Sequence, residues 1–474
     1  MTDINDVIAV ANDYVWYVSF VLVIAFGIIF TLKLKGIQIR ELPECVRNTF
    51  ENVNEGREKR TLSSFEAFCV SMGARVGSGN IAGIAFAIVV GGPGAVFWMW
   101  VFAIIGCASA FIETILAQIY KERKPDGGYH GGLAYYAEKG LGSRKLGIMM
   151  ALLTIAMYCI GFSGIQACTI TSAFQGATSF ENNTLVIAVI ISVIFALIIF
   201  GGQKRVGKFS TAVVPVMAVA WIVFSVILIL VNYANIPSAF GMIFEYAFSA
   251  PALIGGGLGT VILTGMRRGI YSNEAGLGTM CNISGSADTT HPVKQAYMQM
   301  FGVLVDTLIV CTCTALVILT YGSFESILAF GFEDARLVQV IAADTLLGDA
   351  APWVIFIFMF VFAFTSLVAD YNVGETNLRY ITDSQLAVKL LRVIVPIVVF
   401  CCCLVATSSM FAISDVIMGL VALCNIPIMF LLSKKAMEVY RDYKAQKDAG
   451  IAEPVFHRST MSDPTGVTEW NDSE

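Results

Sequence analysis

Apolar segments of roughly 20 residues follow one another along almost the whole of this chain, and each is long enough to cross a hydrocarbon core as a helix. Only 14% of the residues are charged and 57% are hydrophobic, whereas a soluble domain is about a quarter charged. The chain therefore reads as an integral membrane protein. Barrel strands would alternate apolar and polar residues over about ten positions. These runs do not alternate, which leaves an all-α membrane protein.

The runs lie near 14–33, 65–90, 94–120, 145–174, 183–200, 206–232, 251–285, 291–321, 351–379, 388–407 and 413–434, about eleven transmembrane helices in all. The first follows a stretch with acids and no base and lacks a small-x-small cleavage site, so it reads as a span rather than a leader. The organisation expected is an extra helix and basic loop (1–60), a transport core (61–440) and a tail (441–474). The tail is polar and holds Pro454 and Pro464, which predicts disorder. Two stretches in other loops, near 239–248 and 335–347, are amphipathic and predict short helices.

Loop charge orients the chain. Lys33, Lys35, Arg40, Arg47, Arg57, Lys59 and Arg60 follow the first helix, and the loop at 121–145, "GGQKRVGK" at 201–208 and the C-terminal "KKAMEVYRDYKAQK" are basic too. The alternate loops, 175–182, 233–250, 322–350 and 408–412, hold only Arg336. By the positive-inside tendency, the N-terminus is expected outside the cell membrane and the C-terminus in the cytoplasm. The net charge of −5 adds little. The cysteines, such as Cys311, Cys313 and Cys401 to Cys403, lie mostly in apolar runs and read as small hydrophobes. His130, His291 and His457 have no metal-ligand spacing.

Two runs are interrupted in the same way. "GARVGSGNIAG" (73–83) breaks the second helix, and "TGMRRGIYSNEAGLG" (264–278) breaks the seventh. With the first helix set aside, these are core helices one and six of ten. An offset of five, an odd number, would set the two halves in opposite senses across the membrane. Unwound backbone is too costly against lipid and must line a cavity. Free N–H groups at a half-helix start suit a carboxylate, and free carbonyls at a half-helix end suit a cation. Paired discontinuous helices are the mark of inverted-repeat secondary transporters. The competing reading is glycine used for close helix packing.

At these residues the chain resembles the alanine or glycine:cation symporter family of the amino acid–polyamine–organocation superfamily. The resemblance rests on "GARVGSGNIAG", "GGPGAVFWMW" (91–100), "RRGIYSNEAGLG" (267–278), "DTLIVCTCTALVIL" (306–319) and "FAFTSLVADYNVGETNL" (362–378). It implies a leucine-transporter-type fold of two inverted five-helix repeats with one helix added at the N-terminus. It also implies Na⁺-coupled uptake of a small neutral amino acid, with no cofactor. Carried over residue by residue, it implies a substrate pocket of Gly77, Ser78, Gly79 and Asn80 on core helix one. Tyr271, Ser272 and Asn273 on core helix six and Gln166 on core helix three would complete it. The alternative for Gln166 is helix–helix glue. The Na⁺ site implied uses the Gly73 and Val76 carbonyls with the Thr365 and Ser366 hydroxyls, an oxygen-only set that suits a hard cation. The alternative is that both hydroxyls bond back to their own helix.

One position departs from the pattern. Asp370, in "ADYNVGE", stands where the alanine-transporting pattern "GWSYYGE" has tryptophan. A polar wall there would admit a longer or more polar side chain, such as glutamine or serine; a protonated Asp370, or one paired with an arginine, is the other reading. Charges inside the membrane also call for partners. Arg75, Arg267, Arg268 and Glu274 lie at the breaks, and Glu113 and Asp306 in neighbouring helices. Glu113 or Glu274 is expected to tie an unwound segment in place, with arginines as partners, or to form a gate. Asp306 is a candidate for a second cation site.

Other classes of protein fit less well. A channel would need symmetric rings of polar groups, and an intramembrane enzyme a set such as HExxH or GxSxG; neither is visible, and there is no Walker A motif. The partners expected are a small neutral amino acid, Na⁺ (or H⁺) and the lipid bilayer, with no nucleic acid.

Overall fold

The computed structural model describes residues 4–51, 62–124, 127–178, 184–200, 203–249 and 257–470. The boundary at 60/61, the cluster Arg57, Lys59 and Arg60, and the side chains of "GGQKRVGK" lie outside the described residues. The helices that build the molecule are α1 (Ile4–Lys33), α2 (Ser64–Arg75), α3 (Ala82–Gly91), α4 (Gly94–Ile119), α5 (Arg144–Ala177), α6 (Thr184–Ile199) and α7 (Gln203–Val231). They continue with α8 (Ile236–Phe248), α9 (Gly257–Asn273), α10 (Pro292–Leu319), α11 (Ala335–Ala342), α12 (Ala351–Ile381), α13 (Gln385–Cys402) and α14 (Thr407–Asp448). Among the described residues, eight helical segments are long and apolar enough to cross a membrane. The amphipathic stretches at 239–248 and 335–347 are helical, as α8 and as α11 with the π-helical turn Ala343–Leu347.

The centre is built on α4, which packs against both α9 and α10. Small residues permit this. A Cβ on Gly265 would come within 2.5 Å of the Ala95 carbonyl oxygen, and one on Gly269 within 3.4 Å of the Met99 Cα. These two glycines, four apart on α9, are packing glycines. The helix accordingly runs through Arg267, Arg268 and Tyr271 as far as Asn273 and unwinds only from Glu274. The sequence expectation of a break from Thr264 is corrected: two glycines inside that stretch serve helix contact, and only Gly276 (φ 87°) and Gly278 (φ 70°) serve the turn.

The first break lies where the sequence puts it. α2 opens with a capping box, in which Ser63 Oγ accepts from the Glu66 N–H at 3.1 Å and Glu66 Oε2 accepts from the Ser63 N–H at 2.9 Å. It stops at Arg75, and after a 3₁₀ turn at Ser78–Asn80 the helix resumes as α3. Two other helices carry π-helical turns that apolar periodicity does not reveal, Met157–Phe162 in α5 and Val305–Cys311 in α10. Such turns are frequent at functional sites, and here they hold Tyr158 and Asp306.

α1 lies along α14, where the Trp16 indole N–H donates to the Asp415 carbonyl at 2.9 Å and the Ser19 hydroxyl to the Gly419 carbonyl at 3.0 Å. The tail departs from expectation. The α14 helix continues to Asp448, and beyond it Phe456, Met461, Val467 and Trp470 are buried in the main core. The Trp470 indole N–H donates to the Gln118 carbonyl at 2.9 Å, and the Lys121 ammonium lies 4.3 Å from its ring centre. Four apolar side chains spread over a polar, largely exposed segment are enough to anchor it, although its mean composition reads as disordered.

Candidate functional site

The first break lies against the end of α9, just ahead of the second break, and neighbouring helices fasten each one. Gly77 needs to be glycine: an added Cβ would lie 2.5 Å from Ser366 Oγ and 2.8 Å from Gln166 Nε2. A Cβ on Gly79 would lie 2.6 Å from the Tyr271 ring. Backbone donors freed by the break are satisfied locally. The Gly77 N–H donates to Asn80 Oδ1 at 3.0 Å, and the Ser78 N–H to Gln166 Oε1 at 3.0 Å. The Gln166 amide thus bonds to unwound backbone and not merely across two helices.

The Asn80 amide reaches the second half of the site. Its Nδ2 donates to Asp306 Oδ1 at 2.7 Å and to Ser272 Oγ at 3.3 Å. Ser272 Oγ donates to Asp306 Oδ2 at 2.5 Å, and Thr307 Oγ1 to the same oxygen at 3.2 Å. Asn273 Nδ2 donates to Thr307 Oγ1 at 3.0 Å. Asp306 is therefore the hub that joins Asn80 beside the first break to Ser272 at the end of α9. All of these groups are almost wholly buried.

At the carbonyl end of α2 the two predicted hydroxyls part company. Ser366 Oγ lies 3.0 Å from the Gly73 carbonyl oxygen and 3.4 Å from that of Ala74, and also 3.1 Å from its own-helix Phe362 carbonyl. Thr365 Oγ1 donates to the Val361 and Phe362 carbonyls of its own helix, at 3.0 and 2.9 Å. Of the set Gly73, Val76, Thr365 and Ser366, hydrogen bonds bring together Gly73 and Ser366.

The second unwound segment is held by carboxylates. Glu113 Oε2 on α4 accepts from the Gly278 N–H at 2.9 Å. Glu274 is left-handed (φ 55°), unusual for a residue with a side chain, and its carboxylate accepts from Tyr158 OH and, at 2.6 Å, from Thr279 Oγ1. Asn425 Nδ2 donates to the Gly276 carbonyl at 2.9 Å, and Tyr136 OH donates to Asn425 Oδ1 at 2.5 Å. Both carboxylates thus accept hydrogen bonds at this segment, Glu113 from its backbone and Glu274 from Tyr158 and Thr279.

Among the described residues, however, no arginine hydrogen-bonds to either carboxylate. Arg75 donates through Nε to the Asn273 carbonyl at 2.9 Å, and through Nη1 to Gln299 Oε1 at 2.9 Å. It bridges α2 to the end of α9 and to α10 through neutral oxygens. Arg267 pairs with Asp13 of α1 at 3.0 Å, and Arg268 with Asp415 of α14. Asp13 and Asp415 lie 254 and 147 residues from their partners, so no local pattern in the sequence joins them. The one acid in the apolar first part of α14, before Lys434, is the available signal for Asp415. Asp370, 1% exposed, has no arginine partner among the described residues, and its Oδ2 accepts no hydrogen bond from them.

These features describe a multi-pass membrane protein whose buried polar cluster is assembled where helices are interrupted. The fold matches that of MhsT in complex with L-phenylalanine (TM-score 0.57, 15% identity, 81% of this chain and 99% of that one). It also matches a Na⁺-coupled sialic acid symporter in a substrate-bound outward-open state (TM-score 0.52, 12% identity, 82% of each chain). At those identities the likeness concerns the fold alone.

The family follows from sequence. Residues 1–458 match the model of the sodium:alanine symporter family, and the chain belongs to that family. It is a transporter and not an enzyme. The chain is 40% identical over 468 residues to a probable sodium/glutamine symporter, GlnT, of Bacillus subtilis, covering 98% of this chain and 96% of the relative. It is 39% identical to the amino-acid carrier protein AlsT of Bacillus subtilis (99% and 98% covered). It is 33% identical to the sodium/alanine symporter AgcS of Methanococcus maripaludis (91% and 95% covered).

Proposed function

We propose that this chain is a Na⁺-coupled symporter of a small neutral amino acid that works by alternating access. The observation that carries the reading is the meeting of the first unwound segment with the end of α9, just before the second, around Gln166, Asn80, Ser272 and Asp306, close to Ser366. Backbone ends of both polarities lie there, which suits a zwitterion and a cation together. The substrate would bind along Gly77, Ser78, Gly79 and Asn80 with Tyr271, Ser272, Asn273 and Gln166. The coupling ion would lie at the Gly73 and Val76 carbonyls with Ser366 and Thr365. Asp306, which already gathers two hydroxyls and an amide, is the candidate for a second cation.

Coupling then amounts to a difference in affinity between two states. Na⁺ holds the end of α2, the amino acid completes the pocket, and the two five-helix repeats rock to expose it on the cytoplasmic side. The N-terminus lies outside. Asp370 favours a second reading within the same function, a substrate with a polar side chain such as glutamine or serine. A buried carboxyl oxygen without a partner invites a donor from the substrate, and the name of the 40% identical relative points the same way.

Uptake of labelled alanine, glycine, serine and glutamine into proteoliposomes tests the proposal. Uptake should need inward Na⁺ and be lost in Asn80→Ala at equal expression. Uptake that persists unchanged when K⁺ replaces Na⁺ would sink the sodium coupling.

A further inference from the structure

One surface groove carries a charge balance that the transport site does not use. α1 ends at Lys33, and the chain then turns a corner in which Lys35 (φ 56°) and Gly36 (φ 65°) are both left-handed. The extension of α14 passes this corner. Lys33, Lys35, Arg40, Arg441 and Lys444 line the groove between them, against only two acids, Glu41 and Asp448. Glu41 is already engaged, at 3.1 Å by Arg40 and 3.3 Å by Lys444. Lys33, Lys35 and Arg441 are exposed, and no acidic partner meets them among the described residues.

A second feature sets the height of this groove. Ile39, Leu42, Val46 and Phe50 are 75%, 39%, 38% and 60% exposed. Steps of three, four and four place them on one face of the helix Leu42–Glu51 and its lead-in. The other face buries Cys45, Asn48 and Thr49, and the helix packs against α10. An exposed apolar stripe on a short helix with charged neighbours fits the plane of a membrane interface. On the two walls, the strongly exposed apolar residues Leu32 of α1 (71%) and Leu431 of α14 (70%) lie just before the basic ones begin. The groove thus opens where lipid tails give way to headgroups.

We propose that this groove binds the headgroup of an anionic phospholipid. Lys33, Lys35 and Arg441 donate to its phosphate, and its acyl chains lie along the apolar stripe and the lipid faces of α1 and α14. Basic pockets between helices at the headgroup level suit this ligand, and charge-assisted bonds to phosphate oxygens are the strong ones. A soluble phosphate would meet the same cations but leave the exposed apolar surface of α1 next to them, such as Leu32, uncovered, so the lipid is the occupant that uses both features.

The test uses the full chain in nanodiscs of phosphatidylcholine alone or mixed with phosphatidylglycerol, with retained lipid counted by native mass spectrometry. Wild type should retain phosphatidylglycerol in preference. Lys33→Gln/Lys35→Gln/Arg441→Gln should lower that preference at least about fivefold, the worth of roughly one basic residue at the surface. A matched control, Lys145→Gln/Lys389→Gln/Arg458→Gln, should leave it unchanged. Equal preference in the groove variant and wild type, or an equal loss in the control, overturns the site. Thermal stabilisation by soluble glycerol 3-phosphate that matches phosphatidylglycerol overturns the lipid assignment. Should the triple variant fail to fold, Lys35→Gln alone must still reduce the preference.

Discussion

The Arg268 guanidinium of α9 and the Asp415 carboxylate of α14 form an ion pair whose side chains are 1% and 7% exposed. The Phe411 ring lies 4.4 Å from the guanidinium, and the rings of Phe86 and Tyr271 lie 5.4 and 5.6 Å from it. The pair joins the last turns of α9, just before the second break, to the helix on which α1 rests.

Removing one partner leaves the other charge buried and unpaired, which costs about 3–5 kcal/mol. Asp415→Asn should therefore melt well below wild type in detergent. Arg268→Gln/Asp415→Asn should recover part of the loss, since both charges are then gone. A single Asn variant as stable as wild type would mean that the rings and backbone alone hold the arginine.

The two neighbouring hydroxyls of α12 should behave differently. Ser366 Oγ reaches the Gly73 carbonyl, whereas Thr365 Oγ1 is spent on its own helix. Ser366→Ala should raise the Na⁺ concentration for half-maximal uptake by about tenfold, the equivalent of 1.4 kcal/mol. Thr365→Val should raise it less. An unchanged Na⁺ dependence in Ser366→Ala would put the ion elsewhere.

Asp370 tests the substrate. Asp370→Trp should narrow the range towards alanine and glycine, read as loss of competition by glutamine against labelled alanine. Asp370→Asn keeps the volume and should keep the wider range. If glutamine competes equally well in all three proteins, the residue does not face the substrate.

His291 predicts a pH dependence of stability. Its ring is 0% exposed, Nδ1 accepts from the Val293 N–H at 3.2 Å, and the other ring nitrogen meets Asp442 Oδ2 at 3.2 Å. Burial pushes its pKa below the usual 6.5, although Asp442 opposes the shift. The folded state therefore binds its proton less readily than the unfolded chain does. Stability from this residue is fully present above about pH 6.5 and falls as the pH drops from there towards the lowered value. A melting temperature that declines below pH 6.5 in wild type should decline less in His291→Asn.

Much of the candidate site is legible along the chain. Long apolar runs become helices because lipid offers the backbone no other partner. A stretch with glycines and an arginine stops α2 near the expected residue. The glycines at 265 and 269 could not be told from those at 276 and 278 by their spelling. Two meet α4 and two turn the chain, and only the packed helix distinguishes these roles. The π-helical turns under Tyr158 and Asp306 are also silent in the apolar period.

What the sequence by itself determined are the local terms: which segments seek lipid, where helix propensity fails, and which residue types gather at the failures. Tertiary structure alone decided the pairings. It gave Arg75 carbonyl and amide oxygens and not a carboxylate, sent Arg267 and Arg268 to Asp13 and Asp415, and folded a polar tail onto Gln118 through Trp470. The physical reason is range. Burial preference and helix propensity act over a few residues, whereas an ion pair or hydrogen bond inside a membrane depends on angles and distances of a few ångströms between residues more than a hundred positions apart.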